Sequence, residues 1–347
     1  MPPRLHTLSA PAATGLMRAL PAVLAGDGLT THFQPIVDLQ RRTVVGHEAL
    51  LRFPGHTVSS PAAWIEAAHL HGCGAELEAA ALRSALAART RLPAGAFLSV
   101  NVAPAVLSHP AVREAFRDPA GLTGVVVELT EHSKVTHYGS LAPELDRLRA
   151  AGAVIAVDDT GAGYAGMQHL LSIRPEMIKL DRTLIAGIDR DRPQQALVEM
   201  FRAFANRFDA WVVAEGVETP AELATLRRLG VPLAQGFLLA RPACDWQELS
   251  AEAEVHLRAL ATEPAGPTLR LLVEPAAGLG PSRAEEPTSL RLHVDTGLAE
   301  AAHRALNREE PRRFDPLLCT DSTGAYVGMV RMERVVEQLA VLARSES

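Results

Sequence analysis

The sequence predicts a TIM-like (β/α)8 barrel followed by a small C-terminal α/β module, and three observations carry that reading. Short apolar runs alternate with amphipathic stretches at the spacing of parallel βα units. Roughly eight such runs fall within about 240 residues, the usual extent of a barrel of this kind. Several of them carry one ionisable or amide residue at or near the carboxyl end, and in a barrel those ends converge on a single rim.

Composition bounds the alternatives. At 347 residues the chain is longer than one average domain, so one large domain and a smaller one are expected. A hydrophobic fraction of 48% with 21% charged residues fits a soluble globular protein with a sizeable core. The formal charge of -6 leaves no electrostatic footprint for duplex nucleic acid. Cys73, Cys244 and Cys319 are too scattered for a disulfide framework or a CxxC metal site, so a reducing cytoplasm is the expected setting. The first residues lack the apolar core of a signal peptide. Residues 92–112 contain no Asp, Glu, Lys or Arg, but Pro93, Pro104, Pro110 and Asn101 make them strand plus loop, and no membrane partner is expected.

The elements follow in order. Residues 1–15 are a lead, and 16–25 form a short helix before Gly26-Asp27-Gly28. THFQPIVDL (31–39) and TVVGHEALLRF (43–53) are strands joined by a short polar turn, a spacing that suggests a hairpin. Residues 61–71 and 75–90 are alanine-rich amphipathic helices. Strand 96–102, helix 109–117, strand 124–131 and helix 140–151 lead to the central run AVIAVDDTGAGYAG (153–166). Strand 175–181, helix 193–207, strand 210–218, helix 220–229 and a last strand, LAQGFLLA (233–240), complete a barrel domain over 16–255.

In the central run an uncharged strand stops at two adjacent carboxylates, Asp158 and Asp159, and a glycine-punctuated loop follows. Alone, the pair would read as a solvated acid beside a helix cap. The other strands argue otherwise, because Glu48, Asn101, Glu128, Asp158, Lys179, Glu215 and Gln235 each sit within or near the end of a different apolar run. Burying that many carboxylates without a cation would cost several kcal/mol per ion. Carboxylate and amide oxygens are hard donors that favour Mg²⁺ or Mn²⁺ over zinc. Adjacent Asp158 and Asp159 suit a two-ion site, with ions roughly 3.5–4 Å apart, and phosphodiester hydrolysis is its natural chemistry.

Two other motifs point elsewhere. His47-Glu48 opens like a zincin motif, but the position of the second histidine is Leu51. Gly161-Ala162-Gly163-Tyr164-Ala165-Gly166 fits G-x-G-x-x-G, with Asp181 near the ribose-binding distance, so a dinucleotide-binding oxidoreductase is the rival from another class. Against that rival, Asp158 and Asp159 would face a pyrophosphate with like charge.

The ordered set of motifs resembles the EAL-domain family of cyclic di-GMP phosphodiesterases over roughly residues 16–255. The signature stands as Glu48-Ala49-Leu50, followed by Leu51-Arg52-Phe53. With it come Gln34-Pro35-Ile36, Ser99-Val100-Asn101, Glu128-Leu129-Thr130-Glu131, Asp158-Asp159, Ile178-Lys179-Leu180-Asp181, Ala214-Glu215-Gly216-Val217-Glu218 and Gln235-Gly236-Phe237. The resemblance implies that Glu48, Asn101, Glu128 and Asp158 hold one divalent ion and that Asp158 and Asp159 reach a second. Lys179 would orient the attacking water, and Glu215 would act as general base or help hold the second metal. Gln34, Arg52, Asp181, Gln235 and Glu218 resemble substrate contacts, and Glu131 the acid that anchors the loop after Asp159. The implied reaction is hydrolysis of cyclic di-GMP to linear 5′-pGpG with Mg²⁺ or Mn²⁺, inhibited by Ca²⁺ because of its looser coordination shell. A catalytically silent cyclic di-GMP receptor is the alternative within the family.

Lys134 and Lys179 are the only lysines in an arginine-rich chain, and a compact ammonium at 179 fits a need for that particular donor. The loop departs from the family pattern, with Thr160 in place of a phenylalanine, Ala162 of a threonine and Ala165-Gly166 of a serine pair. Residues 256–288, rich in Pro and Gly, are expected to be a linker in which residues near Leu272 form at most a short strand. Residues 289–347 predict strand, helix, strand, hairpin turn at Asp321-Ser322-Thr323-Gly324, strand and helix. This tail resembles a single cystathionine-β-synthase-type (CBS) repeat, and a generic α/β packing module is the alternative. A module of that size has a marginal core, so Leu317, Leu318, Val327, Val330, Val335 and Leu339 are expected to pack on the barrel or on a second copy. The second option implies a homodimer.

Overall fold

The computed structural model describes residues 10–55, 60–130, 141–160, 166–207, 209–259, 267–275, 290–294, 296–320 and 326–345. Eight strands close into one barrel in sequence order. They are β1 (Thr30–Asp38), β2 (Thr43–Arg52), β3 (Phe97–Val102), β4 (Val125–Leu129), β5 (Val154–Thr160), β6 (Met177–Leu180), β7 (Trp211–Ala214) and β8 (Leu233–Ala234). β1 and β2 form the expected hairpin, and β1 also runs antiparallel to β8, so one reversed strand closes an otherwise parallel barrel. The hairpin turns tightly because Asp38 Oδ1 accepts from the N–H groups of Gln40 at 2.9 Å and Arg41 at 2.8 Å, while Arg42 takes a left-handed φ of 62°.

Helices cover the barrel's outer face. Helix α1 (Ala10–Leu24) starts earlier than the expected 16, inside the predicted lead, and packs Leu16, Leu20 and Val23 against Trp64 and Phe53. Helices α2 (Pro61–Leu70) and α3 (Gly74–Ala87) fill the long β2–β3 connection. The alanines of α3 let it lie close to the strands, and Ala79, Leu82 and Ala85 join Leu98, Val100 and Val102 in the main core. The stretch 92–112 resolves into β3, a short turn of 3-10 helix and the helix Pro110–Ala115. No helix among the described residues is long and apolar enough to cross a membrane.

The last strand is shorter than its apolar composition suggests. β8 ends at Ala234, and residues 236–240 wind into a helical turn in which Leu239 and Ala240 donate to the Gly236 carbonyl at 3.1 Å. Gly236 lies flat on the Val217 backbone, where a Cβ would stand 2.1 Å from the Val217 carbonyl oxygen. That approach is open only to glycine.

The C-terminal module is a four-stranded sheet. Its strands are β9 (Glu274–Pro275), β10 (Arg291–His293), β11 (Leu317–Thr320) and β12 (Tyr326–Val330), in the order β10-β11-β12-β9. β10 and β11 are parallel, whereas β11–β12 and β12–β9 are antiparallel. Helices Leu298–Leu306 and Met332–Ser345 complete the module, and the predicted hairpin turn at 321–324 lies outside the described residues. The predicted linker is only partly a linker. Leu269 and Leu272 are buried in the module's core beside Leu290, Leu317, Val330 and Val335, and β9 is its edge strand. Leu317, Val330 and Val335 are therefore buried within their own module with Leu339 packed against them, Leu318 is buried outside that cluster, and Val327 is exposed. The module meets the barrel at the amino-terminal ends of the strands. There Arg304 lies 4.9 Å from the Trp211 ring centroid, Arg308 Nε is 3.9 Å from Asp209 Oδ2, and Arg41 hydrogen-bonds His293.

Candidate active site

Inside the barrel, alternate residues along each strand point inward. Ile36, Val126, Ala156, Met177, Val213 and Leu233 form an apolar layer across the interior. Two positions away on the same six strands or just beyond them stand Gln34, Glu128, Asp158, Lys179, Glu215 and Gln235. Glu48 on β2 and Asn101 on β3 join this second layer from the remaining strands. The first six are thus one strand repeat from an apolar residue, and the polar layer lies at the carboxyl ends of the parallel strands.

Lys179 is the hub. Its side chain is 1% exposed, and its Nζ lies 2.5 Å from Glu215 Oε1, 2.7 Å from Glu128 Oε2, 3.2 Å from Asp158 Oδ1 and 3.4 Å from Glu48 Oε2. Burial opposes its charge, but Asp158, Glu128, Glu215 and Glu48 together hold the ammonium well above the usual lysine range. Glu128 is fully buried and accepts from the Ser99 hydroxyl and from Lys179. Burial, and then the charge of Glu48, push it well above the ordinary carboxylate range. Burial does the same to Glu215, with Lys179 opposing.

Glu48 is braced from two sides. Asn101 Nδ2 donates to its Oε1 at 2.8 Å and Gln235 Nε2 to its Oε2 at 2.7 Å. Gln235 Nε2 also donates to Gln34 Oε1, and Gln34 Nε2 to the Ala240 carbonyl, each at 3.0 Å. Gln34 and Gln235, predicted as substrate contacts, thus fix the orientation of Glu48 in this arrangement.

The donor set fits hard divalent cations. Asn101 Oδ1 and Gln235 Oε1 are buried oxygens with no hydrogen-bond partner, and Asp158 Oδ1 and Glu215 Oε1 face the Lys179 ammonium. All are oxygen donors, the type that Mg²⁺ and Mn²⁺ take. Among the described residues no three His, Cys, Asp or Glu side chains already stand in a metal-holding arrangement. The carboxylates close on Lys179 instead, four of them facing one ammonium.

The adjacent aspartates owe their place to a bulge. Val157 pairs with Ile178 and Thr160 with Leu180, so Asp158 and Asp159 together oppose Lys179. A bulge re-aims the side chains beside it, which a regular strand with strict alternation does not do. The Asp159 side chain, Glu131 and residues 161–165 lie outside the described residues.

The remaining predicted contacts ring this layer. Arg52 ends β2, half-buried, and donates to the Leu51 carbonyl at 2.8 Å. Asp181 caps the short helix Arg182–Ile185 by accepting from Thr183 N at 2.9 Å. Glu218 pairs with Arg182 at 2.8 Å on the surface. Glu222 ties the loops beyond β6 and β7 together, accepting from the N–H groups of Gly187 at 3.0 Å and of Glu218 and Thr219 at 2.9 Å. Ser99 and Glu222 were not foreseen as site residues. Ser99 was detectable as the residue two before Asn101 on the same strand face, and Glu222 as the third residue of a Thr219 capping box.

Fold and site define an α/β barrel protein whose polar centre lies on the carboxyl rim. The EAL-domain family model matches residues 17–242, and the chain belongs to that family. The cyclic di-GMP phosphodiesterase NbdA of Pseudomonas aeruginosa is 32% identical over 234 residues, covering 63% of this chain and 29% of that protein. The solved c-di-GMP complex of the PaMucR phosphodiesterase superimposes with a TM-score of 0.58 at 29% identity, covering 66% of this chain and 97% of that one. The manganese and cyclic di-GMP complex of Klebsiella pneumoniae BlrP1 gives a TM-score of 0.57 at 31% identity, covering 65% of this chain and 58% of that one. The match spans about a third of the length of the first curated relatives.

Proposed function

We propose that the barrel hydrolyses one phosphodiester of cyclic di-GMP to give linear 5′-pGpG, with Mg²⁺ or Mn²⁺ as cofactor. The observation that carries this reading is the convergence of Glu48, Glu128, Asp158 and Glu215 on Lys179, with Asn101 donating to Glu48 and leaving its own buried Oδ1 without a hydrogen-bond partner. Glu48, Asn101, Glu128 and Asp158 would hold one ion, with Asp158 and Asp159 reaching a second. When bound, such ions lower the pKa of the attacking water and neutralise the phosphoryl oxygens.

The chain's own groups do the rest. Lys179 holds the water by a hydrogen bond, and Glu215 beside it takes the water's proton. The water oxygen bonds to phosphorus as the P–O3′ bond breaks, and the 3′ oxygen leaves with a proton drawn from solvent. Arg52 suits a phosphate oxygen through its planar guanidinium. Asp181 and Gln235 suit guanine edges, Gln34 and Glu218 border the substrate, and Gln34 and Gln235 also hold Glu48.

The test is to incubate the purified protein with cyclic di-GMP and Mn²⁺ or Mg²⁺ and to resolve the products by chromatography. Linear product that disappears with a chelator, and falls when Ca²⁺ replaces Mn²⁺, is the expected result. Binding without turnover would make the protein a cyclic di-GMP receptor, and neither binding nor turnover would overturn the assignment.

A further inference from the structure

One buried acid lies outside the polar layer yet is tied to it. Glu78 sits on the inner face of α3 with its side chain 8% exposed, and both of its oxygens are engaged. Oε2 accepts from the Ala103 N–H at 2.7 Å, and Oε1 meets His69 Nε2 at 3.0 Å. Ala103 is the first residue beyond β3, whose ladder with β4 ends at the Val102–Leu129 pair, so no strand partner takes its N–H. Pro104 follows and opens a 3-10 turn.

The supporting contacts are specific. The His69 ring packs against Gly74, where a Cβ would fall 2.3 Å from His69 Nδ1. Glycine at the first position of α3 therefore makes room for the ring that holds Glu78. Beside the tie lies a cavity of about 220 Å³ between α2, α3 and the outer face of β1–β3, bordered by Glu78, Asn101, Ala103, Ala81, Leu82 and Val100. The open space leaves Ala103 without close packing on that side, just beyond Val100 and Val102 in the core.

We propose that Glu78 is a positioning residue of the active site. By gripping the Ala103 N–H it stops β3 from shifting toward the cavity, and so fixes Asn101 two residues earlier. Asn101 in turn donates to Glu48 Oε1 at 2.8 Å and presents its own Oδ1 to the polar layer. This inference rests on the metal-dependent reading of the site. It extends the chain of support to a helix on the outside of the barrel.

The test is Mn²⁺ binding to the full chain, followed by electron paramagnetic resonance, in wild type and three variants whose folding is checked by circular dichroism. Glu78→Leu removes the acceptor, Glu78→Asp withdraws it by one methylene, and Glu78→Gln keeps an oxygen for Ala103. Mn²⁺ affinity should fall about 10-fold or more in Glu78→Leu, the scale of losses for groups that orient metal ligands, and less in Glu78→Asp. Glu78→Gln should stay near wild type, and the KM for cyclic di-GMP at saturating Mn²⁺ should hold within about threefold in all of them. Should Glu78→Leu fail to fold, the contrast between Glu78→Asp and Glu78→Gln decides. Wild-type affinity in a folded Glu78→Leu or Glu78→Asp protein, or a Glu78→Gln protein as weak as either, would overturn the proposal. A wild-type protein that binds no Mn²⁺ would remove the metal reading and this inference with it.

Discussion

The apolar and polar layers of the barrel interior are built from the same strands, one repeat apart, and they make opposite contributions. Val126, Ala156, Met177 and Val213 fill one layer with side chains that need no partner. Glu128, Asp158, Lys179 and Glu215 fill the next with charges that burial disfavours and only mutual contact makes tolerable. The first layer stabilises the barrel. The second is held in place by that stability, which is the usual relation between a functional site and its scaffold.

Substitutions that treat the layers differently sharpen this contrast. The largest effect is expected from Lys179→Met, which leaves four clustered carboxylates without their shared cation. Loss of one member of a buried charge group typically costs about 3–5 kcal/mol. Chemical denaturation should show a loss of that size, with turnover abolished. If Lys179→Met unfolds at the wild-type midpoint, the four carboxylates do not depend on Lys179 for charge balance.

Glu48→Ala and Asp158→Ala should separate function from stability. Turnover is expected to fall by about 10²-fold or more, while the metal-free protein keeps its melting temperature or gains a little from relieved repulsion. Near-normal turnover at saturating metal would refute the ligand assignment. Met177→Ala should do the reverse. A buried methionine cut to alanine costs about 2–5 kcal/mol, and turnover per folded molecule should stay within a few-fold of wild type. A selective loss of turnover without a loss of stability would show that the apolar layer takes part in the chemistry.

The smallest effect belongs to a side chain outside both layers. Glu222→Ala removes a capping-box carboxylate, a change worth about 1–2 kcal/mol. Burial raises the Glu222 pKa, but the N–H groups of Gly187, Glu218 and Thr219 outweigh it and hold the carboxyl below its ordinary value. The folded pKa is depressed, so its stabilisation is present above the unfolded value and is lost as pH falls through the folded one. The difference in melting temperature between wild type and Glu222→Ala should be full near neutral pH and shrink in acid. A pH-independent gap would mean that the carboxylate charge is not what stabilises the loops.

Most of the barrel was legible in the sequence because the signal is local. Apolar runs such as 124–129 and 153–157, each followed by an amphipathic helix, leave few architectures open. The site was legible for a related reason, since Glu128 and Lys179 interrupt runs that are otherwise apolar. Features set by distant contacts were not. LAQGFLLA reads as a full strand, and only the approach of Gly236 to the Val217 backbone ends it after Ala234. Leu269 and Leu272 sit in a Pro- and Gly-rich stretch, and their burial depends on β10–β12, formed later in the chain. The engagement of Gln34 and Gln235 with Glu48 likewise depends on β1, β2 and the end of β8 meeting across the closed barrel.

We propose that the polar layer holds divalent cations and is not a self-sufficient ion-pair network around Lys179. Thermal unfolding of the metal-free chain with and without excess Mn²⁺ tests it directly, because a ligand that binds only the folded state at about 100 times its Kd adds about 2.7 kcal/mol. A clear rise in melting temperature is expected for wild type, and little or none for Asp158→Asn. No rise in wild type, or an equal rise in Asp158→Asn, would contradict it.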